Sequence, residues 1–268
     1  MKLEAARVLL TGASGGIGEA MAASLRAGGA AVMGVGRGAA PHAAQHAAQH
    51  AEQPWVQADL LSAEGRAAVV TAAARWRPNV VVQAAGLPGF GRLQDLDPAA
   101  LQRQLELNLL VPMLLTQALL PQLQLQARAQ LVFVGSALGR IGLPGFSAYG
   151  AAKAGLHGFA EALRRELGDG PVRVQLLAPR ATRTAFNDAA VEAYNTATGT
   201  ACDEPALVAD ALAALIESEA AERFIGFPER LAVRLNPVLG PLLDGSFTKH
   251  RRSLNALPTP HTAPGASA

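Results

Sequence analysis

The chain has 268 residues, half of them hydrophobic, and a formal net charge of +2. That length and apolar content suit one large α/β domain burying roughly three quarters of its unfolded surface, and so small a charge argues against nucleic acid as a partner. A lone cysteine, Cys202, rules out an intrachain disulfide, while the lack of any run of about 18 uncharged apolar residues or of a basic-then-apolar start speaks against a spanning helix and a secretory leader, so a cytoplasmic location is expected.

Short β-branched runs alternate with longer Ala/Leu-rich stretches, the pattern of parallel βαβ units. Strands are expected near 7–10, 30–35, 55–57, 80–83, 130–135, 172–177 and 223–226, and helices over most of 16–27, 63–75, 98–123, 148–167 and 205–217. Right-handed crossovers then give a Rossmann-like doubly wound parallel sheet of about seven strands with helices on both faces. A single domain is expected over 1–227, a basic amphipathic extension over 228–252, and a disordered tail over 253–268. Two segments stand apart. Pro41–Pro54, rich in Ala, Gln and His, is expected to be helical, and Thr184–Asp203 is small, polar and weakly periodic, long enough for a lid.

The stretch Thr11-Gly12-Ala13-Ser14-Gly15-Gly16-Ile17-Gly18 follows an expected strand and opens an expected helix. The first N–H groups of a helix are unpaired and its dipole is positive there, so such a loop is built to hold a diphosphate. Gly12 permits the tight turn, Gly16 a close backbone approach and Gly18 close helix–sheet packing. At the end of the second strand, Val35-Gly36-Arg37 offers a cation where an NAD site usually carries an acid. The guanidinium can grip a 2′-phosphate with two bonds, which favours NADP(H), with NAD(H) as the other option.

Further along, Ser147-Ala148-Tyr149-Gly150-Ala151-Ala152-Lys153 places a phenol and an amine at i and i+4 of an expected helix, with Ser136 upstream. A cation about 4 Å from a phenol at an effective dielectric of 20 supplies on the order of 4 kcal/mol, about what moves a tyrosine from pKa about 10 to neutrality. Lys153 is therefore expected to make Tyr149 a usable proton donor. His42, His46 and His50 recur every four residues but lack a Cys or acidic partner, so no metal site is expected.

These motifs, in this order over roughly residues 5–227, resemble the classical short-chain dehydrogenases/reductases. The resemblance implies a catalytic set of Asn108, Ser136, Tyr149 and Lys153. It further implies cofactor contacts from Gly12, Ser14, Gly16, Ile17, Gly18, Arg37, Asp59, Leu60, Ala85, Gly86, Tyr149, Lys153, Pro179 and Thr184. Asp59 and Leu60 match the pair that holds the adenine, and Thr184 the position that contacts the carboxamide. Two positions depart from the pattern. Gln83-Ala84-Ala85-Gly86 replaces Asn-Asn-Ala-Gly, so the contact beneath the cofactor must come from Gln83 or be lost. Arg180 stands where glycine is usual, free to reach a cofactor phosphate, to meet an anionic substrate, or to point outward.

The family likeness implies interconversion of a carbonyl and an alcohol, and subunit pairing through the helices around Leu107–Leu125 and Phe159–Leu163, hence a homodimer or homotetramer. A non-catalytic NADP(H) sensor on the same fold is the rival reading, and an epimerase or dehydratase of the extended branch a third. In the extension, Leu231, Leu235, Val238, Leu239 and Leu242 form an apolar stripe beside Arg230 and Arg234. Three readings stay open for it: contact with an anionic membrane, a cover over an oily substrate, or packing against the body or a sister subunit. A hydrophobic ketone, alcohol or acyl-type substrate is expected.

Overall fold

The computed structural model describes residues 1–40 and 54–256. Seven parallel strands form one sheet in the order β3-β2-β1-β4-β5-β6-β7. They are β1 (Arg7–Thr11), β2 (Ala31–Gly36), β3 (Trp55–Gln57), β4 (Val80–Gln83), β5 (Ala129–Val134), β6 (Val172–Ala178) and β7 (Glu222–Phe224). The order reverses between β1 and β4, and a crevice outside the strand C-termini at such a point is where ligands bind in these sheets.

Alternation along the strands supplies a core on each face. Leu9, Val81, Leu131 and Phe133 pack against α2 (Ala63–Trp76), α4 (Val111–Gln124) and α5 (Ser147–Glu166). Val8, Leu10, Val82 and Val132 pack against α1 (Gly16–Ala27) and α7 (Pro205–Ser218). Buried polar groups in the sheet serve its helices: Gln130 and Gln175 donate their amides to the carbonyls of Ile216 and Leu215 at 3.0 and 2.8 Å, closing the C-terminal turn of α7.

Three features differ from the sequence expectation. The single helix expected over 98–123 divides into α3 (Pro98–Leu105), a π-helical turn Glu106–Leu110, and α4. The cause is Pro112, which has no N–H to return to the carbonyl of Asn108 four residues earlier. Inside the expected lid lies a helix, α6 (Ala189–Thr198), capped by the Asp188 carboxylate accepting from Val191 N and by Gly199 at φ 75°. Its polar composition hid the apolar contacts made by Val191 and Tyr194. The C-terminal part folds into α8 (Glu229–Leu243) and α9 (Thr248–Asn255), so helix continues past 253, where a tail was expected. The helix expected over 41–54 and the three histidines on it lie outside the described residues, apart from Pro54.

Candidate active site

The phosphate loop has the form the sequence requires. Gly12 sits at φ 71°, and a Cβ there would come within 2.8 Å of the Ala85 backbone. At Gly18 a Cβ would meet the Gly12 carbonyl oxygen at 2.0 Å. Within this helix start, Glu19 N reaches Gly15 O at 2.7 Å, while the N–H groups of Gly16, Ile17 and Gly18 find no acceptor among the described residues. That leaves three aligned donors facing the crevice at the positive end of α1, a fitting cradle for a dinucleotide diphosphate.

The other expected cofactor residues surround this cradle. The Ser14 hydroxyl lies beside Gly36 at the end of β2, 2.8 Å from where a Cβ on that glycine would be. Arg37 follows, exposed and without an ion-pair partner among the described residues. Asp59 caps its own loop by accepting from Leu61 N at 3.0 Å, and Leu60 is buried beneath it. Pro179 O accepts from Ala137 N at 2.9 Å, joining the end of β6 to the Ser136 turn. The Thr184 side chain reaches the phosphate loop, 2.8 Å from a Cβ placed on Gly16.

The residues expected to transfer the proton converge on the neighbouring side. Tyr149 and Lys153 lie one turn apart on α5, and Ser136 ends β5 with its hydroxyl accepting from Leu138 N at 3.1 Å and hydrogen-bonding Tyr149. Lys153 Nζ donates to Val134 O at 3.0 Å and stands 5.7 Å from the Tyr149 ring centroid. Asn108 is buried, its side chain bonding both the N–H and the carbonyl of Leu87 at 2.9 and 2.8 Å. A Cβ on Gly86 would meet Asn108 Oδ1 at 2.8 Å and Lys153 Nζ at 3.9 Å, so the glycine leaves room for both side chains.

Electrostatics depart from the expectation that Lys153 alone acidifies Tyr149. Burial pushes the phenol up to about 12, with the Ser136 hydrogen bond pulling in the opposite direction. Burial also brings the Lys153 amine down to about 8. Withdrawal from water disfavours the charged form of both groups, and at this separation the desolvation of each outweighs their mutual attraction.

Two more expectations are corrected. Gln83 does not reach beneath the cofactor position: its amide donates to Pro112 O and Thr116 Oγ1 at 3.1 and 2.8 Å, which binds β4 to α4. Thr11 takes the contact instead, its Oγ1 accepting from the N–H groups of Ala84 and Ala85 at 3.1 and 3.2 Å. Arg180, left open between cofactor, substrate and solvent, is engaged by acids of its own chain. It forms a two-bond ion pair with buried Asp203 at 2.7 and 3.0 Å and a third bond to Glu229 at 3.1 Å.

An aromatic group that no sequence motif announces stands beside Tyr149. Phe146 and Phe186 approach its ring at 6.5 and 6.1 Å, Phe90 and Tyr194 pack on Phe146 at 4.8 and 5.9 Å, and His250 of α9 stacks outside Tyr194 at 5.8 Å. Phe146, one turn before Tyr149, was the available signal; the others come from distant segments, Tyr194 from α6 and His250 from α9.

A family model described as short chain dehydrogenase matches residues 6–195. The chain belongs to the short-chain dehydrogenase family. Among curated relatives of this short-chain dehydrogenase, the oxidoreductase claN of Passalora fulva is 34% identical over 185 residues, covering 68% of this chain and 84% of that protein. Human dehydrogenase/reductase SDR family member 4 is 31% identical over 128 residues, so the match spans about half of each chain, 47% of this one and 46% of that one. Among solved structures, a short-chain dehydrogenase from Streptomyces avermitilis superposes with a TM-score of 0.77 at 27% identity, over 90% of this chain and 97% of that one. A 3-ketoacyl-(acyl-carrier-protein) reductase from Brucella melitensis complexed with NADH gives 0.73 at 25% identity, over 85% and 99%.

Proposed function

We propose that this protein is an oxidoreductase interconverting a carbonyl and an alcohol, with NADP(H) as the favoured cofactor and a hydrophobic ketone or acyl-type compound as substrate. The observation that carries this reading is the convergence of Ser136, Tyr149 and Lys153 beside three unpaired N–H groups at the start of α1. When bound, the nicotinamide supplies or accepts the hydride. Tyr149 gives its proton to the nascent alkoxide in reduction and takes the hydroxyl proton in oxidation. Ser136, whose oxygen already accepts from Leu138 N, would turn its one O–H from the Tyr149 phenol to the reacting oxygen. Lys153 spends one N–H on Val134 O and retains two, suited to ribose hydroxyls. The Asn108 side chain is committed to Leu87, so its contribution falls to the backbone carbonyl that Pro112 leaves without an α-helical donor.

NADP(H) is supported by Arg37, exposed at the end of β2 and without an ion-pair partner among the described residues. The ring cluster of Phe90, Phe146, Phe186 and Tyr194 supports an apolar substrate. Leu110 and Leu125, exposed on the π turn and at the end of α4, support pairing of subunits through this helix, in a homodimer or homotetramer. The test is a panel of ketones and secondary alcohols followed by nicotinamide absorbance, with NADPH and NADH in parallel. Turnover should favour NADPH and fall about 10²- to 10⁴-fold in Tyr149→Phe. Tight NADPH binding without turnover of any compound would establish a sensor instead, and a preference for NADH would remove the role given to Arg37.

A further inference from the structure

The two helices of the C-terminal extension stand in opposite relation to the body. Helix α9 covers the aromatic cluster, with His250 on Tyr194 and Lys249 Nζ donating to Thr198 O at 3.2 Å. Helix α8 is held by polar groups. Glu229 pairs with Arg180 at 3.1 Å, Asn236 donates to Arg140 O at 2.7 Å, and Val233, 3% exposed, is the one buried residue on the helix. At about 100° per residue, Val233 and Asn236 mark the inward side, and Leu231, Leu235, Val238 and Leu242 project from the opposite one. Their exposures are 52%, 42%, 79% and 81%, and Phe227, just before the helix, is 78% exposed.

An amphipathic helix on a water-facing surface would turn this stripe inward. Here it faces out, and the arginines flank it. Arg230 and Arg234 line, together with Arg223, a groove of about 860 Å³ whose other lining residues include Leu207, Ala214, Asp210 and Glu222. Asp210 accepts from Ser24 Oγ at 3.3 Å and Glu222 lies 3.5 Å from His157 Nε2. None of these three arginines has an ion-pair partner among the described residues. Along the chain between positions 223 and 252 there are six Lys or Arg against Glu229 and Asp244, and Glu229 is engaged by Arg180.

We propose that α8 is an interfacial helix that seats the protein on an anionic membrane, with the leucine stripe in the acyl boundary and Arg223, Arg230 and Arg234 at the lipid phosphates. The charge decides between a lipid surface and a second copy of the chain. A twofold contact centred on Leu235 would set Arg234 against its own counterpart, with no uncommitted acid nearby on the helix to answer either. Lipid phosphates satisfy the same guanidiniums in pairs of bonds. No helix among the described residues is long and apolar enough to cross a membrane, so the contact would be peripheral.

The test is flotation of the full chain with vesicles of phosphatidylcholine alone and of phosphatidylcholine mixed equally with phosphatidylglycerol. Binding should require phosphatidylglycerol, weaken with added salt, and fall about fivefold for each of Arg230→Gln and Arg234→Gln. The double variant Val238→Glu/Leu242→Glu should remain in the soluble fraction while binding NADPH as the parent does, since neither side chain packs in the body. Failure of the parent chain to float with anionic vesicles would overturn the proposal. So would flotation that both sets of variants leave unchanged. A third overturning result is a shift of Val238→Glu/Leu242→Glu to smaller species in sedimentation velocity without vesicle binding by the parent, which would make this face a subunit contact.

Discussion

On the proposed function, the titration of Lys153 joins cofactor binding to proton transfer. Its folded pKa lies near 8, while in the unfolded chain it stays near 10.5. The unfolded state therefore holds the extra proton between those values. Burial of the ammonium opposes folding below pH 8, and that opposition fades as pH rises toward 10.5. Cofactor binding carries the opposite sign. An anionic dinucleotide favours the ammonium, so NADPH affinity should be level below about pH 8 and weaken above it, as the free protein sheds a proton that the complex retains. Fluorescence titration of NADPH across that pH range measures this, and Lys153→Met should bind more weakly with a flattened profile. An affinity unchanged through pH 9 in the parent chain would show that Lys153 does not face the cofactor. The phenol illustrates a limit of spacing arguments. The i, i+4 pattern places Tyr149 and Lys153 on one face, yet desolvation depends on how many atoms the rest of the fold brings around them.

At the scale of elements, Arg180 turns a sequence anomaly into a structural clasp. The segment after β6 is stitched to the start of α7 by Asp203 N to Ala181 O at 2.8 Å and Arg183 N to Asp203 O at 2.9 Å, and the Arg180–Asp203 pair closes the base of the loop that carries α6. Through Glu229 the same guanidinium anchors α8. Removing it leaves Asp203 charged and buried without a partner, a loss of about 3 kcal/mol or more. Arg180→Met should therefore lower Tm by roughly 6–12 °C in a domain of this size. Adding Asp203→Asn should restore part of that stability, because the stranded charge is then gone. A Tm in Arg180→Met equal to that of the parent would show that the clasp carries no stability. The π turn at Glu106–Leu110 was equally readable in principle. Pro112 four residues after Asn108 is its local cause, while the long apolar run around it suggests unbroken helix.

At the scale of the whole molecule, Phe90, Phe146, Phe186 and Tyr194 gather beside Tyr149, and α9 covers them from outside through His250. Leu254 of α9 and Phe90 both close over Gly145, 3.1 and 2.5 Å from where a Cβ on that glycine would be. Leu254→Asp should release α9 and lower kcat/KM for long-chain ketones about tenfold relative to short ones, the scale of a few lost apolar contacts. Equal effects on both chain lengths would mean that α9 stabilises the fold without shaping the pocket. The sequence by itself determined the parallel βαβ order, the strand positions to within a residue or two, the glycine cradle, and the Tyr149–Lys153 pair. Each is set by short-range periodicity or by local backbone geometry. Only the tertiary structure decided that Arg180 is a clasp, that Thr11 and not Gln83 holds the Ala84–Ala85 turn, that rings from four separate segments meet beside Tyr149, and that the stripe on α8 faces away from the body. Those outcomes depend on which distant surfaces meet and how much water leaves with them, and no periodicity within a segment encodes that.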